Sequence, residues 1–188
     1  MHVQTRQDTM PDQPPRIRLI CLANTRQQLA QYRTWATTLS DPIELVAVDV
    51  PSIADFEQSL PISGRLTQAL VEQLQPYLMQ PHAVFAQGQG AHIALALIQQ
   101  VQGACPGLTR HLFVSSCDSP QFSTTYLPLH IPMTVLYPPG SLAAMLGWHS
   151  LVRRELELIE LPVQAVDTSL LNQRLVRIFN AHLGLLSF

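Results

Sequence analysis

Apolar residues recur along this chain at two spacings, and the two alternate from residue 17 onward. Residues 17–22 form a short apolar run holding Arg18, and Asn24 and Thr25 behind it are residue types that cap helix N-termini. Leu29, Tyr32, Trp35, Ala36 and Leu39 then recur at helical spacing and predict a helix with one stripe facing a sheet. Asp41 and Pro42 end it. Residues 43–50, rich in Val and Ile and almost continuously apolar, read as a strand covered on both faces, closed by Pro51. Leu66, Leu70, Leu74 and Leu78 repeat every four residues, predicting a helix over 64–79 with Pro81 as its stop. A short buried strand over 83–86 follows, then a helix over 89–101 that is apolar at Ala91, Ile93, Ala94, Leu95, Leu97 and Ile98. Further on, 112–115, 133–137 and 156–161 read as strands, and 143–151 and 169–183 as helices, the last with Leu171, Leu175 and Ile178 along one side. The polar, proline-punctuated segment 118–132 reads as the longest loop.

Strands alternating with helices predict βαβ units. The expected fold is α/β, a doubly wound, mainly parallel sheet of about six strands with helices on both faces. A chain of 188 residues, 47% hydrophobic and 13% charged, supplies enough apolar material for one core. Residues 1–15 are polar and hold Pro11, Pro14 and Pro15, so they read as a flexible leader, with 16–188 as a single domain. The leader has no apolar stretch of the kind a secretory signal needs. No window approaches the ~18 consecutive apolar residues of a membrane span, and a cytoplasmic location is expected. Cys21, Cys105 and Cys117 are odd in number and lack metal-ligand spacing, which argues against a disulfide framework and a zinc site. The net charge of −2, with Arg153-Arg154 as the one adjacent basic pair, gives no nucleic-acid footprint, and that pair reads as a solvated helix end. All the basic residues are arginine, which excludes Schiff-base chemistry and a lysine base.

The segment Val84-Phe85-Ala86-Gln87-Gly88-Gln89-Gly90-Ala91 falls between an expected strand and an expected helix. At such a junction a sharp turn with small neighbours lifts one side chain above the sheet and aims a helix N-terminus at a developing oxyanion. Ala86, Gly88 and Gly90 meet that steric demand, with glycine where a nucleophile would stand. Other stretches carry a wider pattern: Leu19-Ile20-Cys21-Leu22 with Tyr32 and Trp35, Val46-Ala47-Val48-Asp49-Val50-Pro51, and Leu70-Val71-Glu72-Gln73-Leu74-Gln75-Pro76 with Pro81 and Phe85. His111-Leu112-Phe113-Val114-Ser115, Pro132-Met133-Thr134-Val135-Leu136, Trp148, Glu157-Leu158 and Leu161-Pro162 extend it. In these stretches the chain, from Arg16 to about Leu183, resembles the type II thioesterases that accompany non-ribosomal peptide and polyketide synthases, within the α/β-hydrolase superfamily.

The resemblance implies an α/β-hydrolase fold and locates the family's catalytic positions on this sequence. Gly88 stands where the family has its nucleophilic serine. The family's acid follows the strand ending at Leu136, where this chain reads Tyr137-Pro138-Pro139-Gly140-Ser141, with Pro139 in the acid's place. The family's histidine aligns with Ala165. A glycine pair that shapes the family's oxyanion pocket is replaced by about Arg26 and Gln27. The family's helical lid has no room in the short connection between the strands at 113–115 and 134–136, which also removes the expectation of a deep acyl tunnel.

Other residues offer chemistry of their own. Cys117 beside Asp118 is a candidate nucleophile if His92 or His130 approaches it, although buried or loop cysteines are usually inert. The 7 histidines show no H-x-x-x-H or H-x-H pairing, so no metal site is expected. No cofactor is expected either, because the segment Gln87-Gly88-Gln89-Gly90 lacks the third glycine of a dinucleotide fingerprint. The same four residues open a helix and are a candidate anion site, for instance for the phosphopantetheine of a carrier protein, against the plainer reading of close packing. The expectation is a thioesterase-like domain that does not hydrolyse and acts through contact with a carrier protein or synthase enzyme. The alternatives are an atypical acyl-thioester enzyme using Cys117 or a helix-terminus oxyanion site, and a regulatory subunit that stabilises an active partner.

Overall fold

The nearly continuous Val, Ile and Leu runs become strands of one sheet in a computed structural model that describes residues 3–5, 17–50, 64–119, 127–162 and 168–185. The strands are β1 (Val3–Thr5), β2 (Ile17–Ala23), β3 (Ile43–Asp49), β4 (His82–Gln87), β5 (Thr109–Ser115), β6 (Met133–Tyr137) and β7 (Leu156–Glu160). Their order is β1-β3-β2-β4-β5-β6-β7, with β2 to β7 parallel and β1 antiparallel to β3, Val3 opposite Val48. The six expected strands are the parallel ones. β1 is an additional edge strand inside the segment expected to be a leader, and it is too short to display a period.

The helices are α1 (Arg26–Trp35), α2 (Gly64–Leu78), α3 (Gly90–Ala104), α4 (Leu142–Met145) and α5 (Thr168–Leu185). The chain steps from β2 to β3 in one direction and returns past β2 to β4, so right-handed crossovers put α1 on the face opposite α2 and α3. Alternate strand residues therefore feed two cores. Ile20, Val46, Val84, Leu112 and Val114 pack with Leu70, Leu74, Ile93 and Leu97 of α2 and α3. Leu19, Leu45, Phe85 and Phe113 pack with Tyr32 and Trp35 of α1 and with Leu175 and Phe179 of α5. Tyr32 and Trp35 are thus core residues, as their spacing predicts.

Polar residues change some boundaries. β5 begins at Thr109, ahead of the apolar run that marks it in the sequence, because Thr109 and His111, which flank the exposed Arg110, are buried and bonded: Thr109 Oγ1 lies 2.8 Å from His82 Nε2, and His111 Nε2 lies 2.8 Å from Thr134 Oγ1. Arg18, the charge inside an apolar strand, is satisfied by Glu44 at 2.6 Å and by the carbonyl of Pro76 at 3.1 Å. The helix expected over 143–151 divides into α4 and a 3-10 turn, Leu146–Ser150, whose tighter winding buries Trp148 completely. Among the described residues no helix is long and apolar enough to cross a membrane.

Candidate functional site

The strand order reverses between β2 and β4, and open α/β sheets place ligands in the crevice outside the carboxyl ends of the strands at that point. The segments that meet there follow β2, β4 and β5. β4 ends at Gln87 and α3 begins at Gly90, so Gly88 and Gln89 alone reverse the chain. Gly88 has φ +54°, a left-handed conformation that glycine adopts without a Cβ penalty. Its N–H donates to the Ser115 carbonyl at 2.9 Å, and its own carbonyl accepts from Ala91 N–H at 3.0 Å. The turn is therefore tied to β5 and to the first turn of α3. A Cβ on Gly88 would meet nothing within 4 Å, whereas one on Gly90 would sit 3.8 Å from Ala86 Cβ and from the Leu22 carbonyl, ordinary contact. Small size at Gly90 is thus not a steric necessity, contrary to the expectation for this turn. Gln87 accepts a 3.4 Å hydrogen bond from the Tyr32 hydroxyl.

The loop after β2 is occupied by its own side chains. Thr25 caps α1, accepting from Gln28 N–H at 3.1 Å, while Gln28 Oε1 accepts from Asn24 N–H at 3.0 Å. This near-capping-box, legible in the sequence as T-x-x-Q but missed there, takes up a backbone donor in the loop where a hydrolase would present one to an oxyanion. Asn24 Oδ1 is buried without a partner.

After β5, Ser116 takes φ 52°, an unusual conformation for a residue with a Cβ, and Cys117 follows. Cys117 Sγ lies 3.6 Å from His92 Nε2. Of the two histidines considered for Cys117, His92 is the one that arrives, from the first turn of α3; His130 instead donates its backbone N–H to Gln102 at 3.4 Å. The pair is poorly suited to nucleophilic work. Burial, reinforced by the Asp118 carboxylate, pushes the Cys117 thiol up to about 12, and burial lowers His92, whose Nδ1 is buried without a partner. Both groups therefore favour their neutral forms, and the thiolate is the reactive species.

Cys117 is also covered. It is 7% exposed, its carbonyl accepts from Trp148 Nε1 at 3.3 Å, and Ser119 donates to the Ala144 carbonyl from its N–H at 3.1 Å and its hydroxyl at 2.8 Å. Gly147 lies so close to Ser119 that a Cβ there would meet Ser119 Oγ and Ser119 Cβ, the latter at 2.8 Å. Gly147→Ala is expected to displace Ser119, to cost about 1–2 kcal/mol of stability as an overpacking change, and to speed thiol labelling of Cys117. Denaturant unfolding and labelling kinetics in the native state check both parts.

Pro139 lies in a turn after β6 that is closed by Ser141 N–H on the Pro138 carbonyl at 3.2 Å, with Gly140 at φ +81°. Ala165 falls outside the described residues. His182, which follows it on α5, is bound 2.7 Å from Glu157 near the start of β7, at the end of the sheet away from Gly88. Among the described residues no group of three His, Cys, Asp or Glu side chains is placed to hold a metal ion.

The type II thioesterase BorB from the borrelidin biosynthetic cluster superposes with a TM-score of 0.72 at 18% identity, over 96% of this chain and 95% of that one. The RedJ thioesterase from the prodiginine pathway of Streptomyces coelicolor gives 0.70 at 18% identity, over 89% and 86%. ClbQ from the colibactin NRPS/PKS pathway gives 0.69 at 16% identity, over 89% and 97%. The chain has the fold of these thioesterases. No protein-family model matches the chain, and no curated protein sequence does. Within this thioesterase-like fold, Gly88 occupies the tip of the strand–turn–helix elbow.

Proposed function

We propose that this chain is a non-catalytic, thioesterase-like protein without a lid, acting in the cytoplasm by contact with a carrier protein or a synthase enzyme in non-ribosomal peptide or polyketide biosynthesis. The observation that carries the reading is Gly88: a left-handed elbow turn, tied to β5 and α3, with open space above it and no side chain to use. Pro139 and Ala165 stand at the positions of acid and base, and Gln28 takes the Asn24 N–H. Loss of nucleophile, acid, base and an oxyanion donor together is not repaired by one relocated group, because the members of a triad act as a unit. Gln87, Gly88, Gln89 and Gly90, at the mouth of α3, are the residues assigned to contact with a partner's prosthetic group or loop.

A second reading is favoured by one observation, the 3.6 Å approach of Cys117 to His92. It would make the chain an acyl-thioester enzyme with a cysteine nucleophile. The burial and raised thiol of Cys117 count against it.

Purified protein is expected to show no turnover of acyl-pantetheine thioesters or p-nitrophenyl esters above the uncatalysed rate. Saturable hydrolysis that disappears in Cys117→Ala would refute this. Gly88→Ser is expected to leave the rate unchanged and to cost about 1–2 kcal/mol, from the left-handed backbone alone. Stoichiometric co-purification with a carrier protein or synthase from the native host is the expected positive result.

A further inference from the structure

Helices α1 and α5 lie side by side on the Phe85 face of the sheet and leave between them a groove of about 570 Å³. That volume is in the range of small-molecule sites, roughly 300–1,000 Å³. Its two walls offer opposite chemistry. On the α5 wall, Asn172 Oδ1 accepts from Trp35 Nε1 at 3.1 Å and from Gln31 Nε2 at 2.6 Å, and Asn180 Oδ1 accepts from Ser40 N–H at 3.0 Å. An indole N–H and a backbone N–H donate and never accept, so both amides are oriented by chemistry, with their NH2 groups left over. Arg177, exposed between them in sequence, adds a guanidinium to the same wall.

On the α1 wall, the Thr34 hydroxyl donates to the Gln31 carbonyl at 2.7 Å and the Thr38 hydroxyl to the Trp35 carbonyl at 3.0 Å. Their protons are committed, and their oxygens are free to accept. Neither helix contains an aspartate or a glutamate, and together they hold Arg26, Arg33, Arg174 and Arg177, in a chain whose net charge is −2. Among the described residues that line the groove Arg177 is the one charged side chain, so the groove carries a positive charge, with donors on one side and acceptors on the other.

We propose that the α1–α5 groove binds a small hydroxylated oxyanion, a polyol carrying a phosphate or carboxylate. The anionic group faces Asn172, Arg177 and Asn180, and its hydroxyls donate to Thr34 and Thr38. The site is separate from the elbow and does not depend on whether the chain hydrolyses thioesters.

The test is titration of the full chain, followed by side-chain amide NMR, with glycerol 3-phosphate, glycerate and inorganic phosphate as probes. Saturable shifts of the Asn172 and Asn180 NH2 signals are expected, with at least one organic probe binding tighter than inorganic phosphate; whichever does so identifies the preferred anionic group. Arg177→Gln, at an exposed position, is expected to weaken that probe roughly tenfold or more, as loss of a charge-assisted hydrogen bond does. Thr38→Val, also exposed, is expected to remove the preference for the hydroxylated probe and leave phosphate binding alone. No saturable shift at roughly ten millimolar probe, affinity unchanged in Arg177→Gln, or equal binding of all three probes would overturn the proposal.

Discussion

Phe85→Ala is expected to lower the unfolding free energy by about 3–5 kcal/mol, the range for emptying a buried aromatic site. Phe85 lies on β4, between β2 and β5 in the sheet, with none of its surface exposed. Its ring is edge-on to Tyr32 at 5.6 Å, Trp35 at 5.4 Å and Phe179 at 5.1 Å, which joins the sheet to both α1 and α5. Each such contact is worth about 0.5–1.5 kcal/mol beyond burial, and rigid neighbours on three sides leave little scope for collapse into the void. Urea unfolding measures the loss. Leu170→Ala, at a position 51% exposed, serves as the control and should stay within about 0.5 kcal/mol. A loss below about 1.5 kcal/mol for Phe85→Ala would mean that this core repacks. The elbow shares the consequence, because β4 runs directly from Phe85 into Gly88.

Acidification is expected to destabilise the protein, at a slope that His111 alone brings toward about 1.4 kcal/mol per pH unit. Burial, and secondarily the charge of His182, lowers His111 to about 3. Between the unfolded value near 6.5 and about 3, the unfolded chain binds a proton that the folded chain refuses. Stability is therefore present above pH ~6.5 and is lost as pH falls through that window. His82 and His92 are lowered by burial as well, so they act in the same direction. Urea midpoints at pH 7, 6 and 5 give the slope. His111→Gln keeps a donor for Thr134 but does not titrate, and it should flatten the profile; an unchanged slope would remove His111 as its source.

The difference between these two residues shows how much was legible in the sequence. Phe85 sits in an apolar run whose periodicity announces a buried strand, and the Tyr32–Trp35 spacing announces the stripe that covers it. His111 announces nothing. Its partner Thr134 is on the next strand, so its burial follows from strand order, and the same dependence hid the start of β5. The Cys117–His92 approach was half legible. Cys117 and His92 were both candidates, but only the Ser116 turn and the first turns of α3 select His92 over His130. The T-x-x-Q cap on α1 was readable locally, while its meaning, a backbone donor withdrawn from the elbow crevice, needed β2 and β4 to be neighbours.

By itself the sequence determined the alternation of strands and helices, from which the doubly wound parallel sheet follows, and the glycine at the elbow tip, because periods and turn preferences act within a few residues of one another. The tertiary structure alone decided the antiparallel edge strand β1, the 3-10 turn that sets Trp148 over Cys117, the pairing of His111 with Thr134, and the groove between α1 and α5. Those features join residues far apart in the chain, and no local pattern encodes which distant polar atoms will meet once the sheet has chosen its strand order.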